Sequence, residues 1–248
     1  MPGLEVSGFI DGAPVAAYLP AFGGYAERVV ADERFVYPAD GLDLRVAAAA
    51  PVVATTAYGI LTEAARLRTG ETVLIHAAAG GVGSAAVQLA RALGAGRVLG
   101  TVGSVDKLDY ARSLGYDEVF LRDGFAGQVG PIDIVLDPVG GAVREASLGV
   151  LAPFGRLAVY GEAGRHPDLR LPVRDLWKNN RAVVGFNIGD LVRRAPEVVR
   201  RAGAAALALF AEGRLRIDVV AEYPLAEAAA AHRVMEAGAG RGKTVLKI

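Results

Sequence analysis

The run Gly81-Val82-Gly83-Ser84-Ala85-Ala86 constrains the fold of this chain more than any other. Before it, Val73 to His76 reads as a strand buried on both faces. After it, Ser84 to Leu93 reads as a helix whose polar stripe is limited to Ser84, Gln88 and Arg91. A strand, a glycine turn and a nearly engulfed helix open a βαβ unit. In that setting Gly81 permits the tight turn, Gly83 lets the backbone approach a pyrophosphate, and Ala86 allows close packing of helix on strand. The helix start adds unpaired N–H groups and a positive dipole end. The pattern predicts a dinucleotide site at Gly81, Val82 and Gly83; the alternative is a glycine turn with no ligand.

Downstream, short aliphatic runs alternate with helical patterns: strands are expected at Arg97 to Val102, Glu118 to Leu121, Ile132 to Leu136, Arg156 to Tyr160 and Ala182 to Phe186. With Val73 to His76 they suit an α/β fold built on a doubly wound parallel Rossmann sheet. A helix is expected over Val105 to Leu114 and another over Ala195 to Glu212. Before Val46 the text changes to short strands punctuated by glycine and proline, Pro14 to Leu19 and Tyr25 to Val30 among them. Strand-like text returns at Ile217 to Ala221 and Thr244 to Ile248, which is expected to pair with the opening segment. The reading is a dinucleotide-binding domain over residues 46–212 and a smaller β domain over 1–45, to which 213–248 return.

The end of the second strand discriminates between cofactors. An NAD site usually carries an acidic residue about 20 positions beyond the glycines. Here that place holds Ser104, in Gly100-Thr101-Val102-Gly103-Ser104, and Lys107 follows one turn later. A hydroxyl and an ammonium suit the 2′-phosphate of NADPH. Ser104 as a helix cap with a solvated Lys107 is the other reading, and the two can coexist.

Composition narrows the function classes. The 27 basic residues balance 27 acidic ones, so no net field draws in nucleic acid or an anionic membrane. There is no cysteine, which removes disulfides and thiolate-ligated zinc, and the three histidines lack ligand spacing, so no metal is expected. The longest uncharged stretch, Val46 to Thr62, is broken by Pro51 and Gly59 and falls short of a spanning helix. With no secretory pattern at the start, the expected location is cytoplasmic.

The run Glu71 to Ala90, around His76-Ala77-Ala78-Ala79-Gly80-Gly81-Val82-Gly83, resembles the signature region of the quinone oxidoreductases, the zinc-free, zeta-crystallin-like branch of the medium-chain dehydrogenase/reductase superfamily. Thr56-Ala57-Tyr58, Thr101 to Ser104 with Lys107, Asp133 to Gly141, Gly155 to Gly161 and Gly242 to Leu246 extend the resemblance over nearly the whole chain from Gly23. It implies an NADPH-dependent reductase of quinones, enones or enoyl groups, related to the enoyl reductases of polyketide synthases. It also implies a second, GroES-like β domain and a homodimer. Thr56 would touch the carboxamide end of the nicotinamide, and Gly161, Phe186 and Asn187 would line its path. Residues 2–8 resemble a segment that such proteins reach after their first strands, and Gly8 passes through Phe9 to Gly12 straight to Ala13. The implied β domain is thus reduced, without positions matching the family's asparagine and tyrosine near the nicotinamide. A wider cleft and a bulky, conjugated small-molecule substrate follow.

No residue carries a catalytic assignment. His76 reads as a satisfied buried imidazole, and Asp137 as the cap of the Gly140-Gly141 turn. Tyr18, Tyr25 and Tyr58 are packing residues or proton donors. Two further readings stand beside the reductase: a non-redox cyclase or isomerase on the reduced scaffold, and a non-catalytic NADPH-binding protein.

Overall fold

The computed structural model describes residues 2–167, 169–171, 173–238 and 240–248. In chain order it contains β1 (Glu5–Ile10), β2 (Ala13–Tyr18), β3 (Val36–Pro38), α1 (Leu44–Ala47), α2 (Pro51–Gly59), β4 (Thr72–His76), α3 (Gly81–Ala92), β5 (Arg97–Val102) and α4 (Leu108–Ser113). There follow β6 (Glu118–Leu121), β7 (Ile132–Asp137), α5 (Gly141–Gly149), β8 (Leu151–Val159), α6 (Val173–Asn179), β9 (Ala182–Gly185), α7 (Ile188–Arg194), α8 (Pro196–Ala211), β10 (Val219–Pro224), α9 (Ala228–Glu236) and β11 (Lys243–Lys247). Contacts divide the chain into two compact units. One holds Met1–Tyr58, Gly80–Ala85 and Ile188–Ile248, and the other Gly59–Ala79 and Ala86–Asn187.

The second unit carries a six-stranded sheet of order β6-β5-β4-β7-β8-β9, every pairing parallel. This is the doubly wound order, whose direction reverses between β4 and β7; ligands of such sheets bind beyond the carboxyl ends of the strands at that reversal. Strands covered on both faces read as unbroken apolar runs. Accordingly Leu74, Ile75, Leu99, Ile134, Leu136 and Leu157 are all fully buried.

His76, the last residue of β4, is fully buried and edge-on to Phe125, with ring centroids 4.9 Å apart. Its Nε2 lies 2.8 Å from Ser147 Oγ, and that hydroxyl donates to the carbonyl of Val143. Nε2 is therefore the protonated nitrogen, and Nδ1 accepts from the Thr101 hydroxyl at 2.7 Å. Both ring nitrogens are satisfied by the neutral form, as expected of a structural imidazole.

In the first unit, β1, β2 and β3 form an antiparallel sheet. Asp11 and Gly12 both have positive φ, 50° and 83°, the geometry of a two-residue hairpin turn that closes the Ile10–Ala13 pair. The short path from Gly8 to Ala13 is thus a tight hairpin. Tyr18, Phe35, Val192 and Val199 make this unit's core cluster, the Tyr18 and Phe35 rings tilted at 5.9 Å.

Two sequence expectations fail here. Tyr25 to Val30 is not a strand, because among the described residues no ladder partner lies beside it. The Gly24 and Tyr25 N–H groups bond to the carbonyls of Gly3 and Pro2, and Val30 stands out almost wholly in solvent. The closing strands do not join the opening segment either: β10 and β11 pair with each other, in parallel, as a separate two-stranded sheet. Elsewhere the differences are of extent. Helix α3 starts at Gly81, β8 starts at Leu151, and a 3₁₀ turn over Val105–Lys107 precedes α4.

Burial lowers the pKa of His76; the Asp137 carboxylate opposes that shift, Arg122 adds to it, and the result is about 4 against an ordinary 6.5. Above about pH 6.5 the imidazole is neutral in both folded and unfolded chains. Between there and pH 4 only the unfolded chain takes up the proton, so stability falls as pH falls. Chemical denaturation across this window is expected to show a loss on the order of 3 kcal/mol from this group. A His76→Gln variant, less stable at pH 7, should show a flatter profile; parallel profiles for the two proteins would refute the account.

Candidate functional site

Because α3 begins at Gly81, the fingerprint residues Gly81, Val82 and Gly83 occupy its first turn. Ser84 N–H bonds to Gly80 O, and Ser84 Oγ donates to Gly81 O, both at 2.9 Å. The aliphatic stem of Lys243 crosses this turn. A Cβ at Gly81 would lie 2.8 Å from Lys243 Cδ and 3.1 Å from Val53 Cγ1, so a side chain there would have to displace both. Gly80 and Gly242 form a parallel bridge beside it. Beyond the stem, the Lys243 ammonium pairs with Glu5 Oε1, and Glu5 Oε2 accepts from Val52 N–H at 2.8 Å. This largely buried pair thus ties β1, β11, the start of α2 and the fingerprint turn together. Thr56 lies one helical turn beyond Val52 and is buried.

In the other unit, Ser104 follows β5 in an extended conformation at the N-cap of the 3₁₀ turn, yet its hydroxyl makes no capping bond. Lys107, half-buried, closes that turn. Sequence reasoning missed the third group here, Arg122. Its N–H bonds to Val102 O at 2.8 Å, and its guanidinium lies against Gly103, where a Cβ would sit 3.2 Å from Nη2. Arg122 Nε is buried with no bonding partner. A buried donor without a partner, at a strand end that carries a serine and no carboxylate, has the chemistry to bind an anionic oxygen. No sequence signal marked Arg122, because it belongs to the neighbouring strand end.

The carboxyl ends of β7 and β8 are braced together. Asp137, fully buried, accepts from Val139 N–H at 2.7 Å and Gly140 N–H at 3.1 Å, the capping role expected of it. Its other oxygen accepts from Arg144 Nε at 2.7 Å. Arg144 also donates to the Gly161 carbonyl at 3.0 Å and pairs with Glu162. Burial opposes its charge, but the Asp137 and Glu162 carboxylates outweigh that and raise its pKa. Gly161 is half-buried in the loop after β8, and Asn187, beyond β9, is exposed. Phe186 bonds through its N–H to Val159 O at 2.9 Å, while its ring is buried against Gly59.

The first unit also holds a cavity of about 1340 Å³. Its walls include Leu4, Val6, Val15, Val36 and Leu246, and Tyr25. The Tyr25 hydroxyl lies 2.9 Å from His232 Nε2, and burial raises its pKa. Among the described residues no cluster of His, Cys, Asp and Glu could hold a metal ion, and no helix is long and apolar enough to cross a membrane.

A family model described as zinc-binding dehydrogenase matches residues 81–204. A quinone oxidoreductase of Pseudomonas aeruginosa is 35% identical over 254 residues, 98% of this chain and 77% of that protein. A protein of the spectinabilin polyketide synthase system of Streptomyces orinoci is 40% identical over 225 residues, 88% of this chain but 10% of the synthase. A mycocerosic acid synthase-like polyketide synthase of Mycobacterium tuberculosis is 36% identical over 91% of this chain and 11% of its own length. The chain thus spans about a tenth of these synthases. Among solved structures, the quinone oxidoreductase of Thermus thermophilus, also solved as a complex with NADPH, matches with a TM-score of 0.87 and 39% identity, covering 100% of this chain and 81% of that one.

The Glu5–Lys243 pair predicts an asymmetric response to mutation. Lys243→Met leaves a partly buried carboxylate without its cation and is expected to destabilise by about 2–4 kcal/mol, read as a lower denaturation midpoint. The Glu5→Gln/Lys243→Met double variant should recover part of that loss. Additive losses would show that the two side chains do not interact.

Proposed function

The chain belongs to the zinc-binding dehydrogenase family, in its quinone oxidoreductase branch, and from that premise we propose that it binds NADPH and reduces quinones, enones or enoyl groups. The observation that supports this reading is the end of β5, where the Arg122 guanidinium lies against Gly103, the residue before Ser104, and Arg122 Nε is buried without a bonding partner. The residues present fit the cofactor on that ground. Gly81, Val82 and Gly83 would cradle the pyrophosphate at the start of α3; Ser104, Lys107 and Arg122 would hold the 2′-phosphate. Thr56, Gly161, Phe186 and Asn187 would position the nicotinamide, Phe186 through its backbone because its ring is committed to Gly59.

When bound, NADPH would supply a hydride to the electron-poor carbon of the acceptor. The chain's own contribution is alignment and exclusion of water. The division of 1–45 with 213–248 as a reduced GroES-like substrate domain belongs to the same proposal. So does a bulky, conjugated acceptor, for which the 1340 Å³ cavity is the supporting feature. The similarity to polyketide synthases points to acyl intermediates of secondary metabolism as the acceptor class. We further propose a cytoplasmic homodimer; strand β9 lies at the sheet edge, and Trp177 on α6 before it is exposed.

A second reading, a cyclase or isomerase without net hydride transfer, is favoured by one feature, the cavity-lining Tyr25, whose hydroxyl is held by His232. A hydroxyl held by an imidazole can pass a proton to an enolate.

Calorimetric titration with NADPH and NADH, followed by absorbance assays with quinone and enone acceptors, separates these readings. Tight NADPH binding with acceptor-dependent oxidation supports the reductase. Binding without oxidation, together with conversion of a bulky acyl substrate abolished by Tyr25→Phe, supports the second reading. Arg122→Ala and Lys107→Ala are each expected to weaken NADPH by about tenfold while changing NADH by less than about twofold. Equal losses for both cofactors would show that neither cation reads the 2′-phosphate. Gly83→Val should abolish binding of both.

A further inference from the structure

We propose that Arg144 is a positioning residue for the nicotinamide end of the cofactor site, locking the two strand ends that would face the ring. The inference rests on the NADPH-binding reading above. Its guanidinium reaches three acceptors on three sides: Nε to Asp137 Oδ2 at 2.7 Å, Nη2 to the Gly161 carbonyl at 3.0 Å, and Nη1 to the Glu162 carboxylate. Asp137 closes β7 and, through its other oxygen, holds the turn at Val139 and Gly140. Gly161 and Glu162 follow β8. One side chain thus joins the carboxyl ends of two adjacent central strands, beside the reversal between β4 and β7, where an open α/β sheet takes its ligand.

The two loops are in close contact. A Cβ at Gly161 would lie 3.3 Å from Pro138, and one at Gly140 would lie 2.6 Å from Glu162 Oε2. Backbone bonds from the Tyr160, Ala163 and Gly164 N–H groups to the Asp137, Pro138 and Val139 carbonyls also join them; a shift of the β8 loop therefore displaces the β7 turn, and Arg144 is the side chain that clamps both. Stability alone is a poor reason for this arrangement. A buried ion pair recovers little beyond its desolvation penalty, and apolar side chains of similar volume commonly do as well. A planar fork that holds a backbone carbonyl in register supplies what an apolar side chain cannot, a fixed acceptor geometry. Arg144 touches neither cofactor nor substrate in this account; it acts through Gly161.

The test uses two probes on the full chain. NADPH reports both halves of the site, whereas 2′,5′-ADP reports the adenosine and phosphate half alone. For Arg144→Ala we expect NADPH affinity to fall about tenfold, with 2′,5′-ADP affinity changed less than about twofold. The fluorescence enhancement of bound NADPH, a signature of an immobilised nicotinamide, should be reduced. Arg144→Lys keeps a cation beside Asp137 without the fork and should fall between the two proteins in both readouts. Glu162→Gln, on a partly exposed partner, covers the case in which Arg144→Ala does not fold; it should weaken NADPH by about threefold and spare 2′,5′-ADP.

Equal loss of both probes would reduce Arg144 to a structural residue, and unchanged NADPH binding and fluorescence in folded Arg144→Lys and Glu162→Gln would overturn the proposal. Failure of the unaltered protein to bind NADPH at all would instead remove the cofactor reading, and this role with it.

Discussion

Burial of β4 on both faces is the constraint around which the six-stranded sheet is arranged. The strand pairs with β5 on one side and β7 on the other, and its residues Val73 to His76 are inaccessible to water. A fully covered central strand needs apolar side chains on both faces and a satisfied polar group wherever one intrudes. His76 is that intruder, and its two hydroxyl partners come from β5 and α5. The polar group at the strand end therefore ties β4 to its neighbouring strand β5 and to helix α5 instead of serving as a reactive base.

The same logic of satisfaction separates structural from functional polar groups elsewhere. Asp137 is buried with both oxygens used, and Glu5 divides its oxygens between an ammonium and a backbone N–H. Arg122 Nε breaks the rule: it is buried and unused. In a unit whose buried charges Asp137 and Arg144 are paired, an orphaned donor on the guanidinium that lies against Gly103 is free to take an external acceptor. This unmet hydrogen bond at a strand end is the feature on which the proposed 2′-phosphate contact rests.

Much of this was legible in residue order. Strand positions 97–102 match the structure residue for residue, because parallel strands covered on both faces are written as short aliphatic runs; positions 118–121 match as well, at the partly exposed sheet edge. The Asp11-Gly12 turn, expected only as a shortened path from Gly8 to Ala13, carries a hairpin signal as well, both residues favouring positive φ. The failure at Tyr25 to Val30 has the opposite cause. Its β-branched text satisfies the local preference for a strand, but a strand exists only with a neighbour, and that condition is not local. For the same reason the closing strands found each other and left β1 to β2.

Local sequence determined the doubly wound sheet, the place of the glycine turn and the absence of a carboxylate at Ser104, since each follows from periodicity or residue type within one segment. Tertiary structure alone decided that Lys243 passes over Gly81 to reach Glu5, that Arg122 stands against Gly103, and that Arg144 joins Asp137 to Gly161. The partners in these contacts are 238, 19 and 17 residues apart for Glu5–Lys243, Gly103–Arg122 and Gly161–Arg144, distances along the chain over which neither period nor propensity carries information. They become neighbours only when strands and helices pack together, so the identity of a site's second and third residues is a property of the tertiary structure and not of any one segment.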